Sequence, residues 1–110
     1  MDCEYHFALT QRAKQDVRQS VGYIRNELGN EKAAKILMND LDKCIERLCI
    51  FPESGKLVFD EYLPGAHVRR KIVGKYILFY QVLKEEKIVR ILRIVYGCRD
   101  MDEVFRHMDN

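Results

Sequence analysis

The sequence predicts an α+β domain of order β-α-α-β-β-β-(α), with a helical hairpin packed on one face of a four-stranded, mostly antiparallel sheet. Three observations carry this. A run of period two opens the chain, two consecutive stripes of helical period follow, and three strand-like runs joined by tight turns complete it. With 110 residues, 47% of them hydrophobic, the whole chain 1–110 reads as one domain with a core of its own.

The opening run sets Cys3, Tyr5, Phe7 and Leu9 against Glu4, His6 and Ala8, the pattern of a strand with one buried face. Thr10 is placed to cap the helix that follows, because its hydroxyl accepts an orphan backbone N–H. Ala13, Val17, Val21, Ile24 and Leu28 then form one apolar stripe. Gly29 suits a left-handed C-terminus and Asn30 suits the next N-cap, so a second helix starts at once. Its stripe is Ala34, Leu37, Leu41, Ile45 and Leu48, and so short a link makes the pair an antiparallel hairpin. Phe51-Pro52 ends the second helix, and residues 52–65, with Pro52, Ser54, Gly55, Pro64 and Gly65, read as a loop.

Three strands follow, at about 66–73, 76–84 and 88–96, with Gly74-Lys75 and Glu85-Glu86-Lys87 as their turns. Alternation puts Val68, Arg70 and Ile72 on one side of the first, and Arg69, Lys71 and Val73 on the other. On the last strand Val89, Ile91, Arg93 and Val95 share one side, opposed by Ile88, Arg90, Leu92 and Ile94, and a bulge would exchange these faces. A short terminal helix is expected over about 100–107, capped by Asp100. The helices cover one face of the sheet and leave the other open or partly covered.

Composition excludes several classes of function. No apolar run is long enough to span a bilayer and no basic-then-apolar leader precedes Cys3, so a soluble, cytoplasmic protein without membrane partner is expected. The cysteines at 3, 44, 49 and 98 form no Cys-x-x-Cys pair, and His6, His67 and His107 no metal-binding pair, so neither a metal nor a cofactor is expected. Net charge is only +2, yet residues 66–99 hold nine basic against two acidic side chains. That block either faces an anion or is the solvated side of a sheet. Arg93 stands out, because it interrupts an apolar strand and needs an acidic or anionic partner. The pair Arg99-Asp100 fits a local pairing at the start of the terminal helix equally well.

The ordered set Ala13-x-x-Asp16, Val21-x-Tyr23-Ile24, Leu28-Gly29, Ala33-Ala34, Leu48-x-x-Phe51-Pro52-x-x-Gly55, Arg69 to Gly74, Tyr76-x-x-x-Tyr80-x-Val82 and Arg93-Ile94-Val95-Tyr96-Gly97-Cys98-Arg99-Asp100 resembles the RelE/ParE superfamily of bacterial type II toxin–antitoxin toxins. The N-terminal half is ParE-like. The resemblance implies the same β-α-α-β-β-β fold, a growth-inhibiting toxin with a role such as plasmid stabilisation, and a cognate antitoxin that neutralises it. It implies one of two targets: DNA gyrase, poisoned by binding, or the ribosome, where a RelE-like toxin cuts mRNA. A non-toxic module that keeps only antitoxin contact is a third class.

Metal-free RNA cleavage needs a base for the 2′-hydroxyl, an acid for the leaving group and cations for the phosphate. Carried over from the resemblance, Arg69, Arg70, Lys71, Arg93 and Arg99 are the target- or phosphate-binding candidates, with Arg99 and Tyr96 catalytic if the chain is a nuclease. Two positions depart from the RelE pattern: Ile77 stands where an arginine is expected and Phe105 where a catalytic tyrosine is expected. Whether the chain is an enzyme is left open by these residues, and the ParE-like reading, inhibition by binding, is preferred. Tyr96 either supplies a phenol for proton transfer or ends its strand as a packing residue. An acidic, helix-rich antitoxin is expected over the basic region, helped by hydrophobes beyond the two stripes: Tyr23, Ile36 and Met38.

Overall fold

In a computed structural model, described over residues 4–58, 67–97 and 104, the chain folds in the order expected. Strand β1 (His6–Leu9) leads into α1 (Gln11–Gly22), a π-helical turn (Tyr23–Glu27) and α2 (Glu31–Ile50). A 3-10 turn (Pro52–Ser54) and a two-residue strand β2 (Lys56–Leu57) precede the meander β3 (Arg69–Val73), β4 (Tyr76–Leu83) and β5 (Ile88–Tyr96).

The caps form as the residue types dictate. Thr10 Oγ1 accepts the Ala13 N–H at 3.1 Å and donates to the Leu92 carbonyl at 2.9 Å, so one hydroxyl starts α1 and ties it to the sheet. The π-turn is closed by Leu28 N–H donating to the Tyr23 carbonyl five residues back. This wider turn carries Leu28 out of the apolar stripe, and it is 59% exposed rather than buried with Ala13 and Val21. Gly29 takes φ +59° and Asn30 Oδ1 accepts the Ala33 N–H, which starts α2. All five residues of the second stripe are buried.

The sheet is five-stranded and mixed, in the order β1-β5-β4-β3-β2, which corrects the expectation of four strands. The fifth strand lies within the stretch read as a loop. Two residues leave no periodic signal, and Pro52 and Gly55 beside them punctuate the sequence like a loop. β1 pairs parallel with β5, and the other three pairings are antiparallel. A bulge in β5 sets Phe79 opposite Arg93 but Tyr80 opposite Ile91, leaving Leu92 as the extra residue. Val89 and Ile91 therefore share the helix-facing side with Ile94, while Leu92 and Val95 face the other way.

Two cores result. The larger lies between the helices and the sheet, with Leu37, Leu41, Ile45 and Leu48 against Leu78, Tyr80, Ile91 and Ile94. The smaller lies on the far face, where Val104 is helical and packs with Val68, Phe79, Leu92 and Val95. Of the expected terminal helix only Val104 falls among the described residues, and its burial shows that the far face is covered at that point. Cys44 and Cys49 are not joined in a disulfide, and no group of three metal-ligating side chains occurs among the described residues. No helix among them is long and apolar enough to cross a membrane.

Candidate functional site

Beyond Leu9, strand β1 ends while β5 runs on, leaving backbone groups of β5 to be satisfied by something else. Helix α1 satisfies them. The Asp16 carboxylate accepts the Ile94 N–H at 3.0 Å and holds the Arg93 guanidinium through two bonds, Nε at 2.7 Å and Nη2 at 3.1 Å. Both side chains are almost wholly buried, at 2% and 4% exposure. Fork-to-fork pairing of this kind satisfies both charges, which a buried ion pair requires. The anion that Arg93 demanded is thus Asp16, on the facing helix.

A second cation is also committed internally. Arg69 Nη1 donates to the carbonyls of Gly55 (2.8 Å) and Glu53 (3.1 Å), and its other nitrogen lies 3.7 Å from the Glu53 carboxylate. Beside it the buried Tyr80 hydroxyl donates to the Pro52 carbonyl and accepts the Gly55 N–H. Burial pushes the Tyr80 phenol above its ordinary value, and the Gly55 bond and Arg69 charge partly offset this. A β-carbon at Gly55 would lie 2.5 Å from the Tyr80 oxygen, so only glycine fits. The run Phe51-Pro52-x-x-Gly55 is therefore a latch that fixes the end of α2 to the sheet.

The remaining candidates do not converge. Arg70 is exposed on the side of β3 away from the helices, directly opposite Lys56 of β2. Lys71 is half-buried on the helix side. Arg99 and Phe105 lie outside the described residues, and Ile77 packs against the far-face core. Tyr96 ends β5 half-exposed, with its ring 5.7 Å from that of Tyr76 and tilted 59° to it.

What the structure does assemble is an apolar groove of about 880 Å³. It opens between the π-turn, the first turns of α2, the β3–β4 turn and the end of β5. Tyr23, Leu28 and Ile36 line it although each is at least half-exposed, and Tyr76 and Tyr96 close its sheet side. Large apolar side chains gathered in one open concavity mark an interaction surface. The surplus of hydrophobes at Tyr23 and Ile36 was the signal in the sequence, although Met38, equally surplus, does not line the groove. Leu28, Tyr76 and Tyr96 could not be assigned to it without the π-turn and the strand register.

Comparison with known proteins agrees with this geometry. A solved structure described as the chromosomal ParDE TA system from P. aeruginosa superposes with a TM-score of 0.66 at 20% identity, covering 86% of this chain and 98% of that one, a likeness of fold. Curated protein sequences contain no match to the chain. The profile of the family described as "ParE toxin of type II toxin-antitoxin system, parDE" matches residues 7–101, a span that holds the Asp16–Arg93 clamp, the Gly55–Tyr80 latch and the groove. By that match over most of its length, the chain belongs to the ParE toxin family of type II toxin–antitoxin systems.

Proposed function

We propose that this protein is a growth-inhibiting toxin that acts in the cytoplasm by binding DNA gyrase, and that a cognate antitoxin neutralises it by seating an amphipathic helix in the apolar groove. The open groove is the observation that carries the antitoxin part. Its exposed Tyr23, Leu28 and Ile36 are the kind of surface that takes the anchor residues of a partner helix.

The commitment of Arg69 and Arg93 to internal partners supports binding over cleavage. RNA cleavage needs several cations converging on one phosphate, with an acid and a base in reach. Arg93 is spent on Asp16 and Arg69 on the latch carbonyls, and Ile77 brings no charge where the RelE pattern has arginine. Tyr96 contributes its ring to the groove wall.

Induced expression in bacteria, with growth, transcript 5′ ends and chromosomal breaks followed together, tests the reading. The expected result is arrest with gyrase-dependent DNA breaks and intact transcripts, relieved by co-expression of the antitoxin. New cuts inside translated codons would instead make the chain a ribosome-dependent nuclease. Normal growth at full soluble expression would leave only a binding module.

A further inference from the structure

Beside the apolar groove lies a smaller recess of about 310 Å³ between α2 and β3, and its chemistry is different. Lys43 and Arg47, one turn apart on α2, face Lys71 from β3 across it, with Cys44 half-buried among them. Among the described residues none of these three cations has a carboxylate within 4 Å. Lys71 is half-buried with no carboxylate within 4 Å among the described residues, so it has lost hydration that an incoming anion would replace. Both concavities are bounded by Asp40, Val73 and Gly74, so the recess continues the groove.

We propose that this recess is an anion subsite that accepts a carboxylate side chain of the same polypeptide whose apolar anchors fill the groove. The proposal rests on the reading that a polypeptide partner occupies the groove. Its ligand is an acidic residue placed just beyond a partner's apolar stripe. Single-stranded nucleic acid fits less well, because its bases need aromatic platforms and no aromatic side chain among the described residues lines the recess itself. Asp40 stands at the join and opposes the subsite by like charge, which gives the proposal a sign to test.

The test uses the full chain and the protein whose co-expression relieves arrest. Lys71→Glu is expected to weaken their complex about tenfold or more, and Asp40→Asn to tighten it about two- to fivefold. Lys35→Glu, also on α2 but in neither concavity, is expected to leave affinity within about twofold. A gain of affinity cannot come from damage to the fold, so the Asp40 variant separates charge from structure. Unchanged affinity in both Lys71→Glu and Asp40→Asn would overturn the subsite and leave the toxin reading standing.

A second arm needs no partner. Titrating the free chain with inorganic phosphate should give saturable amide shifts confined to the neighbourhood of Lys43, Cys44, Arg47 and Lys71. Equal, unsaturable shifts at every basic residue would overturn the proposal. Saturable shifts in a chain that neither arrests growth nor finds an antitoxin would sustain the anion subsite and sink the toxin reading. Saturable protection of the recess by duplex DNA, with no response to an acidic partner, would replace the carboxylate with a phosphate backbone and overturn the proposal as stated.

Discussion

At residue 93 an arginine occupies the interior of a strand whose neighbours are Leu92, Ile94 and Val95, and what makes this tolerable is one carboxylate on α1. Removing Asp16 leaves a buried guanidinium and the Ile94 N–H without partners. Asp16→Ala should therefore cost about 3–5 kcal/mol, read as a lowered urea midpoint. Replacing both members, Asp16→Leu with Arg93→Met, should recover part of that loss, and a double-mutant cycle would show the coupling. Tyr80→Phe removes the hydroxyl that holds Pro52 and Gly55 and should cost about 1–3 kcal/mol. The sequence showed that Arg93 needed an anion. It gave no means of choosing Asp16, 77 positions away, because the choice depends on where β1 stops along β5.

Glu53 offers a pH-dependent counterpart on the surface. A hydrogen bond and charge from Lys84, with Arg69 adding to them, hold its carboxyl below its ordinary value of 4.5. A lowered folded-state value means the pair stabilises the fold above pH 4.5 and that this is lost as pH falls through the lowered value. Thermal unfolding between pH 5 and 3 should thus fall less steeply in Glu53→Gln than in the parent. The difference should shrink in high salt, since the group is exposed.

The elements divide by how much of their cause is local. The second helix stripe, the first as far as Ile24, the Thr10 and Asn30 caps, the left-handed Gly29 and the bounds of β5 were legible, because each depends on residues within a few positions. The π-turn, the strand β2 and the bulge at Leu92 were not. β2 and the bulge are set by pairing with distant chain, and the bulge alone decides which side of β5 faces the helices. Thr10→Ala tests the coupling of element to sheet. It removes the α1 cap and the bond to the Leu92 carbonyl, and should cost about 1–2 kcal/mol, at the upper end for a cap. Thr10→Ser, which keeps the hydroxyl, should lose far less.

For the whole molecule, several of the residues that carry the family resemblance are framework. Asp16, Arg93, Gly55, Tyr80 and Arg69 bind to one another or to backbone, and their effect is to fix the helical hairpin to the sheet. The surface open to partners is built from Tyr23, Leu28 and Ile36 in the groove, and from Lys43, Arg47 and Lys71 beside it. Ile36→Glu should thus change the free energy of unfolding by no more than about 0.5 kcal/mol while weakening antitoxin binding at least tenfold. The equivalent change at buried Leu37 would unfold the protein.

The proposed action of this toxin is inhibition of DNA gyrase by binding. It is tested most directly by adding the purified chain to gyrase, relaxed plasmid and ATP and following supercoiling and trapped cleavage complexes. The expected result is dose-dependent loss of supercoiling with linear DNA released on denaturation, reversed by the antitoxin. Full gyrase activity at saturating protein, with cleavage of mRNA on translating ribosomes by the same preparation, would contradict it.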